Sequence, residues 1–269
     1  MKHEESRFAG YKGFTIYYQR WLPEEEKKAV LMVAHGYAEH SGRYMNLVNY
    51  FVPKGFTVYA LDHRGHGRSD GNINEVSDFS DFVTDLKTFF DSIRKENPDK
   101  KIFLIGHSMG SVISLLYALK YQHELAGLVT SGGGIAKPGD PPMPPRPANQ
   151  PLDSSMLSRD PEVIKAYDND PLVYRGPIPQ TMSAGMSGMT RQLAEDVKKI
   201  TLPVLIMAGD GGTDGARSQV LYDYIGSEDK TLKRYAELRH EIFNEPEYPQ
   251  VMADLEAWLE MHLQHFGYR

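Results

Sequence analysis

The pentapeptide Gly106-His107-Ser108-Met109-Gly110 has the form Gly-x-Ser-x-Gly. A serine flanked by glycines at that spacing suits a nucleophile held on a sharp bend, because glycine has no Cβ to collide where backbone segments come close. A hydroxyl alone is a poor nucleophile and needs a base, a role that suits histidine at neutral pH. His240 is the candidate base, since it follows the apolar run Leu232 to Tyr235 and precedes the last helical pattern. His107 adjoins the serine but points elsewhere around the bend, His123 belongs to the connection after the serine's helix, and His262 falls within a helical stripe as a surface or packing residue. The base in turn needs a carboxylate to fix its tautomer and stabilise the imidazolium, and the order nucleophile, acid, base places it between Ser108 and His240. The run Val204 to Ala208 leads into Gly209-Asp210-Gly211-Gly212-Thr213-Asp214-Gly215, which offers Asp214 as first choice and Asp210 as the alternative. Acyl transfer also develops negative charge on a carbonyl oxygen, which preset donors must meet. The backbone N–H groups of Met109, after the serine, and of Tyr37, after His35-Gly36, stand at the two expected places.

Such groups work only if strands and helices present them together. Ala29 to Ala34, Thr57 to Leu61, Ile102 to Ile105, Leu125 to Thr130, Val204 to Ala208 and, more weakly, Leu232 to Tyr235 are short apolar runs. Runs of this kind predict strands covered on both faces, as in a parallel sheet. Phe14 to Tyr18 reads as a short edge strand. Helical patterns lie between them: Tyr44 to Val52, Phe79 to Ile93 closing at Asn97-Pro98, a stripe of Val112, Leu115, Leu116 and Leu119, and a last stripe from Val251 through Trp258 to His262. The alternation predicts an α/β fold with a mostly parallel, doubly wound sheet. It also supplies the strand before Ser108 and the helix after it.

One region breaks the alternation. Lys137 to Thr190 holds eleven of the seventeen prolines, clustered at Pro141-Pro142-Met143-Pro144-Pro145, and five methionines: Met143, Met156, Met182, Met186 and Met189. It is too long for an ordinary loop. Leu157, Val163, Ile164, Tyr167, Leu172, Val173 and Tyr174 give it apolar surface to pack. The expected division is therefore a core in two parts, 1–136 and 191–269, with an inserted cap at 137–190. The methionines either line an adaptable apolar surface or fill a small core of the cap.

With 269 residues the chain can bury one large α/β core, and a net charge of −6 without a basic run speaks against a nucleic-acid partner. There is no cysteine, hence no disulfide, thiolate nucleophile or cysteine-ligated metal, which suits a reducing, cytoplasmic setting. Met1 to Gly10 is polar and mixed in charge and is not read as a secretory signal. No run of 18 apolar residues occurs, so no membrane span is expected, while transient contact with a lipid surface stays open. Oligomeric state is not set by any of these features. The polar stretch Asp62 to Gly67 and the pair His35 and His40 lack the His-Glu-x-x-His spacing of a zinc site and are read as hydrogen-bonded loops that shape the site. With no phosphate or dinucleotide glycine motif either, neither a cofactor nor a metal is expected.

Taken together, His35-Gly36-Tyr37-Ala38-Glu39-His40-Ser41-Gly42-Arg43-Tyr44, Asp62-His63-Arg64-Gly65-His66-Gly67-Arg68-Ser69, the serine pentapeptide, and Gly226 to Lys233 followed by His240-Glu241 make the chain resemble a known family. It is similar to the α/β-hydrolase superfamily, and within it to the monoacylglycerol lipase and lysophospholipase group. The resemblance implies an α/β-hydrolase fold and hydrolysis of a fatty-acyl ester with one long chain, most typically a monoacylglycerol, beneath a mobile cap over an acyl tunnel. It gives His240 and Tyr37 the roles assigned above. A lysophospholipase or broad carboxylesterase would use the same groups, and a noncatalytic acyl-ligand-binding protein would keep only the shell. Two positions depart from the family pattern. Ser111 stands where many relatives have glycine, and the family's usual aspartate position falls on Gly212, in a loop about two residues short.

Overall fold

The computed structural model describes residues 1–73, 78–139 and 151–264. The proline cluster Pro141 to Pro145, with Met143, lies outside the described residues. The strands are β1 (Lys2–Ala9), β2 (Thr15–Leu22), β3 (Ala29–Ala34), β4 (Phe56–Leu61), β5 (Ile102–His107), β6 (Gly127–Ser131), β7 (Val204–Gly209) and β8 (Lys230–Tyr235). They form one sheet in the order β1-β2-β4-β3-β5-β6-β7-β8. The pairings β1–β2 and β2–β4 are antiparallel and the other five are parallel.

The reason the apolar runs are continuous is visible in β3. Val30, Met32 and Ala34 face one hydrophobic cluster, and Ala29, Leu31 and Val33 face another on the opposite side of the sheet. Alternation along a strand sends successive side chains to opposite faces, so a strand buried on both faces has no polar phase. Helices α1 (Met45–Phe51) and α7 (Tyr248–Gln264) cover the second face through Leu47, Phe51, Val251, Leu255 and Leu259. Helices α2 (Phe79–Glu96) and α3 (Met109–Tyr121) cover the first through Phe82, Leu86, Phe89, Ile113 and Leu115. The Asp78 carboxylate caps α2 by accepting from the Ser80 N–H at 2.8 Å, and Asn97 ends it.

The connection from β6 to β7 carries α4 (Pro161–Asn169) and α5 (Gln180–Asp196), so the second helix continues past Thr190. Leu157, Tyr167 and Val173 form a small cluster of their own. Met182 is buried against the main core, with Met186 and Met189 partly buried beside it, whereas Met156 is exposed.

Three elements differ from the sequence reading. Of the stretch Phe14 to Tyr18, all but Phe14 belongs to a longer strand, β2, that lies second from the edge, because β1 pairs outside it from Lys2↔Leu22 to Ala9↔Thr15. The β1 sequence KHEESRFA is mostly exposed, so it carries none of the apolar pattern that marks a buried strand. A further helix, α6 (Asp214–Tyr224), starts where the glycine-rich loop was expected to continue, and Leu221 is its one buried large apolar side chain. The register Ala34↔Gly106 and His107↔Ser131 brings the carboxyl ends of β3, β5 and β6 level, so the loops that follow them share one rim. Crevices at that rim are where open α/β sheets bind ligands.

Candidate active site

Ser108 sits between the last residue of β5 and the first of α3 with φ 53° and ψ −115°. A non-glycine residue there is strained, and the turn survives because its surroundings allow no Cβ at either glycine. One built on Gly106 would lie 2.4 Å from the Gly110 carbonyl oxygen, and one on Gly110 would lie 2.0 Å from that of Ala34. Ser111 is accommodated because Gly133 lies opposite, where a Cβ would come within 2.2 Å of the Ser111 Cβ. The Ser111 hydroxyl donates to the Gly106 carbonyl at 2.7 Å and accepts from the Ser131 N–H at 3.3 Å, so it ties the base of the bend to β6.

The loop after β3 is held by its own side chains. His35 Nε2 accepts from the His63 N–H at 2.8 Å, which leaves the proton on Nδ1 to donate to the Gly36 carbonyl at 2.7 Å. The Gly36 N–H donates to Glu39 Oε1 at 2.6 Å. Since a trans peptide holds its C=O and N–H in opposite directions, pinning the Gly36 carbonyl at His35 turns the Tyr37 N–H the other way. Met109 opens α3, so its N–H is among the first-turn donors that have no intrahelical acceptor.

His240 follows the turn after β8, and its Nδ1 lies 2.6 Å from Asp214 Oδ2. Asp214 is the first residue of α6. Asp210 turns away: its Oδ1 accepts from Arg234 Nε at 3.0 Å on β8. The structure thus brings Asp214, and not Asp210, to the histidine. Ser108, Met109, Tyr37, His240 and Asp214 all line one cavity of about 310 Å³. Ile178, Met182 and Met186 from the β6–β7 connection also line it, as does the exposed Met156.

These five residues meet in a chain with clear relatives. Residues 25–247 match the family described as Serine aminopeptidase, S33. The chain is 38% identical to the Monoacylglycerol lipase of Mycolicibacterium smegmatis, covering 96% of this chain and 98% of that one. It is 32% identical to the Monoglyceride lipase of Homo sapiens, over 95% of this chain and 90% of the other. The solved structure of Paleococcus ferrophilus monoacylglycerol lipase superposes with a TM-score of 0.75 at 28% identity, covering 97% of this chain and 100% of that one.

The chain belongs to the α/β-hydrolases, in their monoacylglycerol lipase group.

Electrostatics in this hydrolase centre on His240. Burial alone would pull its pKa down, but the hydrogen bond and charge of Asp214, with Glu241 and Glu39 behind, outweigh it and hold the pKa above the ordinary value. His107 packs its ring 4.8 Å from that of His240 and stays neutral, its pKa pushed down to about 3 by burial and by His240. His35, His63 and His66 form a second buried group beneath the loop after β3, with His35 and His63 centroids 4.4 Å apart.

Three linked residues, two of which, Glu39 and Glu241, line the cavity, escaped the sequence reading as functional groups. Arg43 donates to Glu241 at 2.5 and 2.9 Å and to Glu39 at 3.2 Å, all three nearly buried. Desolvation raises the Glu39 pKa despite Arg43, while the two-pronged Arg43 contact lowers that of Glu241 despite burial. The arginine therefore links the loop after β3 to the residue beside His240. Both acids lie inside the segments that carried the family resemblance, one three residues after Gly36 and one next to His240. Their adjacency to the candidate residues was the available signal. Asp62 acts in the same structural sense, accepting from the Ser41 and Arg68 N–H groups at 2.8 Å each. Among the described residues, no helix is long and apolar enough to cross a membrane.

Proposed function

We propose that this hydrolase cleaves long-chain monoacylglycerols to glycerol and fatty acid, with Ser108 as nucleophile, His240 as general base and acid, and Asp214 as the acid that orients it. The observation that supports this reading best is the convergence of the strained serine and the His240–Asp214 pair on one cavity with an apolar wall. His240 takes the Ser108 proton as Oγ attacks the ester carbonyl, and the Tyr37 and Met109 N–H groups receive the oxyanion. The intermediate collapses to an acyl-enzyme as the glycerol oxygen departs with the proton from His240. Water, deprotonated by His240, then adds to the acyl carbonyl, and the acyl–Oγ bond breaks as His240 returns the proton to Ser108, which releases the fatty acid. No step calls for a cofactor.

Residues 137–190 act as the cap in this reading. Each methylene that Ile178, Met182 and Met186 remove from water contributes about 0.8 kcal/mol, so affinity rises with chain length until the cavity is filled. In this reading the exposed Met156 on the cavity wall meets a lipid surface transiently as a dispersed substrate enters.

Labelling with a fluorophosphonate tests the nucleophile: the parent is labelled and Ser108→Ala is not, and equal labelling of both would refute the assignment. Comparison of a long-chain monoacylglycerol, a lysophospholipid, a short-chain aryl ester and an alanyl anilide tests the substrate class. The second reading is a lysophospholipase, which would use the same catalytic groups and acyl cavity and differ in the headgroup it accepts. A higher kcat/KM on the lysophospholipid would put that reading first, and preference for the anilide would displace both.

A further inference from the structure

The loop that carries His240 is bolted to the first part of the β6–β7 connection, about 80 residues earlier in the chain. The His240 N–H donates to the Met156 carbonyl at 3.3 Å and the Glu241 N–H to the Leu157 carbonyl at 2.7 Å. The Arg239 guanidinium donates to the carbonyls of Ser155 and Ser158 at 2.5 and 3.1 Å. Beneath this joint lies Glu245, 1% exposed. Its Oε1 accepts from the backbone N–H of Arg239 at 2.5 Å, while its Oε2 accepts from the backbone N–H and Nε of Arg159 at 3.0 and 3.2 Å. Ser158 completes the contact by donating its hydroxyl to the Asn244 carbonyl at 3.0 Å.

We propose that Glu245 is a positioning residue for hydrolysis, clamping the His240 loop to residues 155–159 so that the inserted segment forms part of the frame that aims the base. The proposal rests on the catalytic role given above to His240. Its physical basis is that neither partner belongs to a strand or an α-helix. Residues 236–241 have no ladder neighbour to hold them; Leu238 is buried in the core and its carbonyl accepts from the Gly211 N–H at 2.8 Å, and the stretch from Arg239 to Glu241 beyond it is held by the specific bonds it makes. Glu245 joins two segments about 80 residues apart, accepting from Arg239 through one carboxylate oxygen and from Arg159 through the other. Bonds from a buried carboxylate to N–H groups are among the stronger ones in a protein. The outer contacts of Arg159 with Glu237 and Glu247 do not replace it, because those carboxylates are mostly exposed and such pairs contribute little. Glu245 is absent from the cavity wall, so it acts through His240 and does not touch substrate.

The tests are Glu245→Gln, which keeps the volume and one acceptor oxygen, and Arg239→Gln, which cuts the same joint from the guanidinium side. Each variant is assayed on monoacylglycerol and on a short-chain aryl ester well below its own melting temperature. Misaiming of a base by about 1 Å costs roughly a hundredfold in rate. Glu245→Gln is therefore expected to lower kcat about 10- to 100-fold with KM within about twofold, and to shift the acid limb of the kcat/KM–pH profile. The two substitutions act on one joint, so together they lower kcat by less than the product of their separate effects. A reduced melting temperature with kcat within about twofold of the parent in both variants would show a merely structural role and overturn the proposal. If Glu245→Gln does not fold, the Arg239→Gln result decides by the same criterion. Fluorophosphonate labelling of Ser108→Ala separates the two failures: labelling there refutes the catalytic reading, whereas its absence with undiminished kcat in the joint variants refutes only the role of Glu245.

Discussion

Replacing Asp214 by asparagine removes one charge and barely alters shape, and the structure sets the size of the effect. Asp214 Oδ2 lies 2.6 Å from His240 Nδ1 in a half-buried setting, with side-chain exposures of 16% and 25%. In the proposed mechanism His240 becomes an imidazolium during acylation. At about 4 Å between charge centres and an effective dielectric constant of about 20, the lost attraction is about 4 kcal/mol. At about 1.4 kcal/mol per decade that is roughly a thousandfold in kcat. The amide can also present its NH₂ to Nδ1 and enforce the wrong tautomer, which takes the loss toward about ten-thousandfold. Asp210 faces Arg234 with side-chain exposures of 27% and 41%, and a surface pair of that kind contributes about 0–1 kcal/mol to stability. Asp210→Asn should therefore leave kcat within about twofold. Both variants are assayed on a long-chain monoacylglycerol, with fluorophosphonate labelling rates as an independent measure of Ser108 reactivity. The pH profile adds a signed check. In that mechanism the working His240 is neutral, so kcat/KM rises as pH passes upward through its raised pKa. Without Asp214 that inflection moves to lower pH. Equal kcat in Asp214→Asn and the parent, or a large loss in Asp210→Asn, would refute the reasoning.

Two further outcomes follow from the buried groups around the site. Burial and the neighbouring imidazoles press the pKa of His35 well below its ordinary value and that of His63 to about 3, and burial takes that of His66 to about 4. Depressed folded-state values mean that these histidines leave stability intact above about pH 6.5 and erode it as the unfolded chain takes up protons below that. The loss is about 1.4 kcal/mol per pH unit for each proton, visible as a falling melting temperature from pH 6.5 toward pH 4; His63→Phe should make the fall shallower, and a flat profile over that range would contradict the assignment. Gly110→Ala would drive a methyl to within 2.0 Å of the Ala34 carbonyl and 2.6 Å of that of His35, both backbone atoms. Overpacking of this kind costs about 1–3 kcal/mol, and because it displaces the loop before Tyr37 the fluorophosphonate reaction should slow by more than about tenfold in protein that still folds. A fully reactive Gly110→Ala enzyme would show that the close approach is not needed.

Much of this protein was legible from the chain alone. The strand-turn-helix around Ser108 is a local feature, since β5, the bend and α3 are contiguous; Gly106 is required by the bend's own approach to the Gly110 carbonyl, whereas Gly110 is required by the packing of the bend against Ala34 at the end of β3. The buried strands announced themselves because burial on both faces removes polar residues from the run. His240 stood out by its place after the final apolar run. The edge strand β1 did not, since its side chains face solvent and no pattern is imposed on them.

Other features were decided by the tertiary structure. Two aspartates on one glycine-rich segment were chemically equivalent, and the start of α6 separated them by placing Asp214 on its first turn. The missing Cβ of Gly215 leaves the space that Asp210 takes toward Arg234, for a methyl there would lie 1.6 Å from Asp210 Oδ1. The Glu39–Arg43–Glu241 link and the clamp at Glu245 join segments about 200 and about 80 residues apart. Residue type and spacing specify chemistry wherever neighbours in the chain are neighbours in space. Contacts across the fold depend on register, helix starts and loop paths, which only the packed sheet determines.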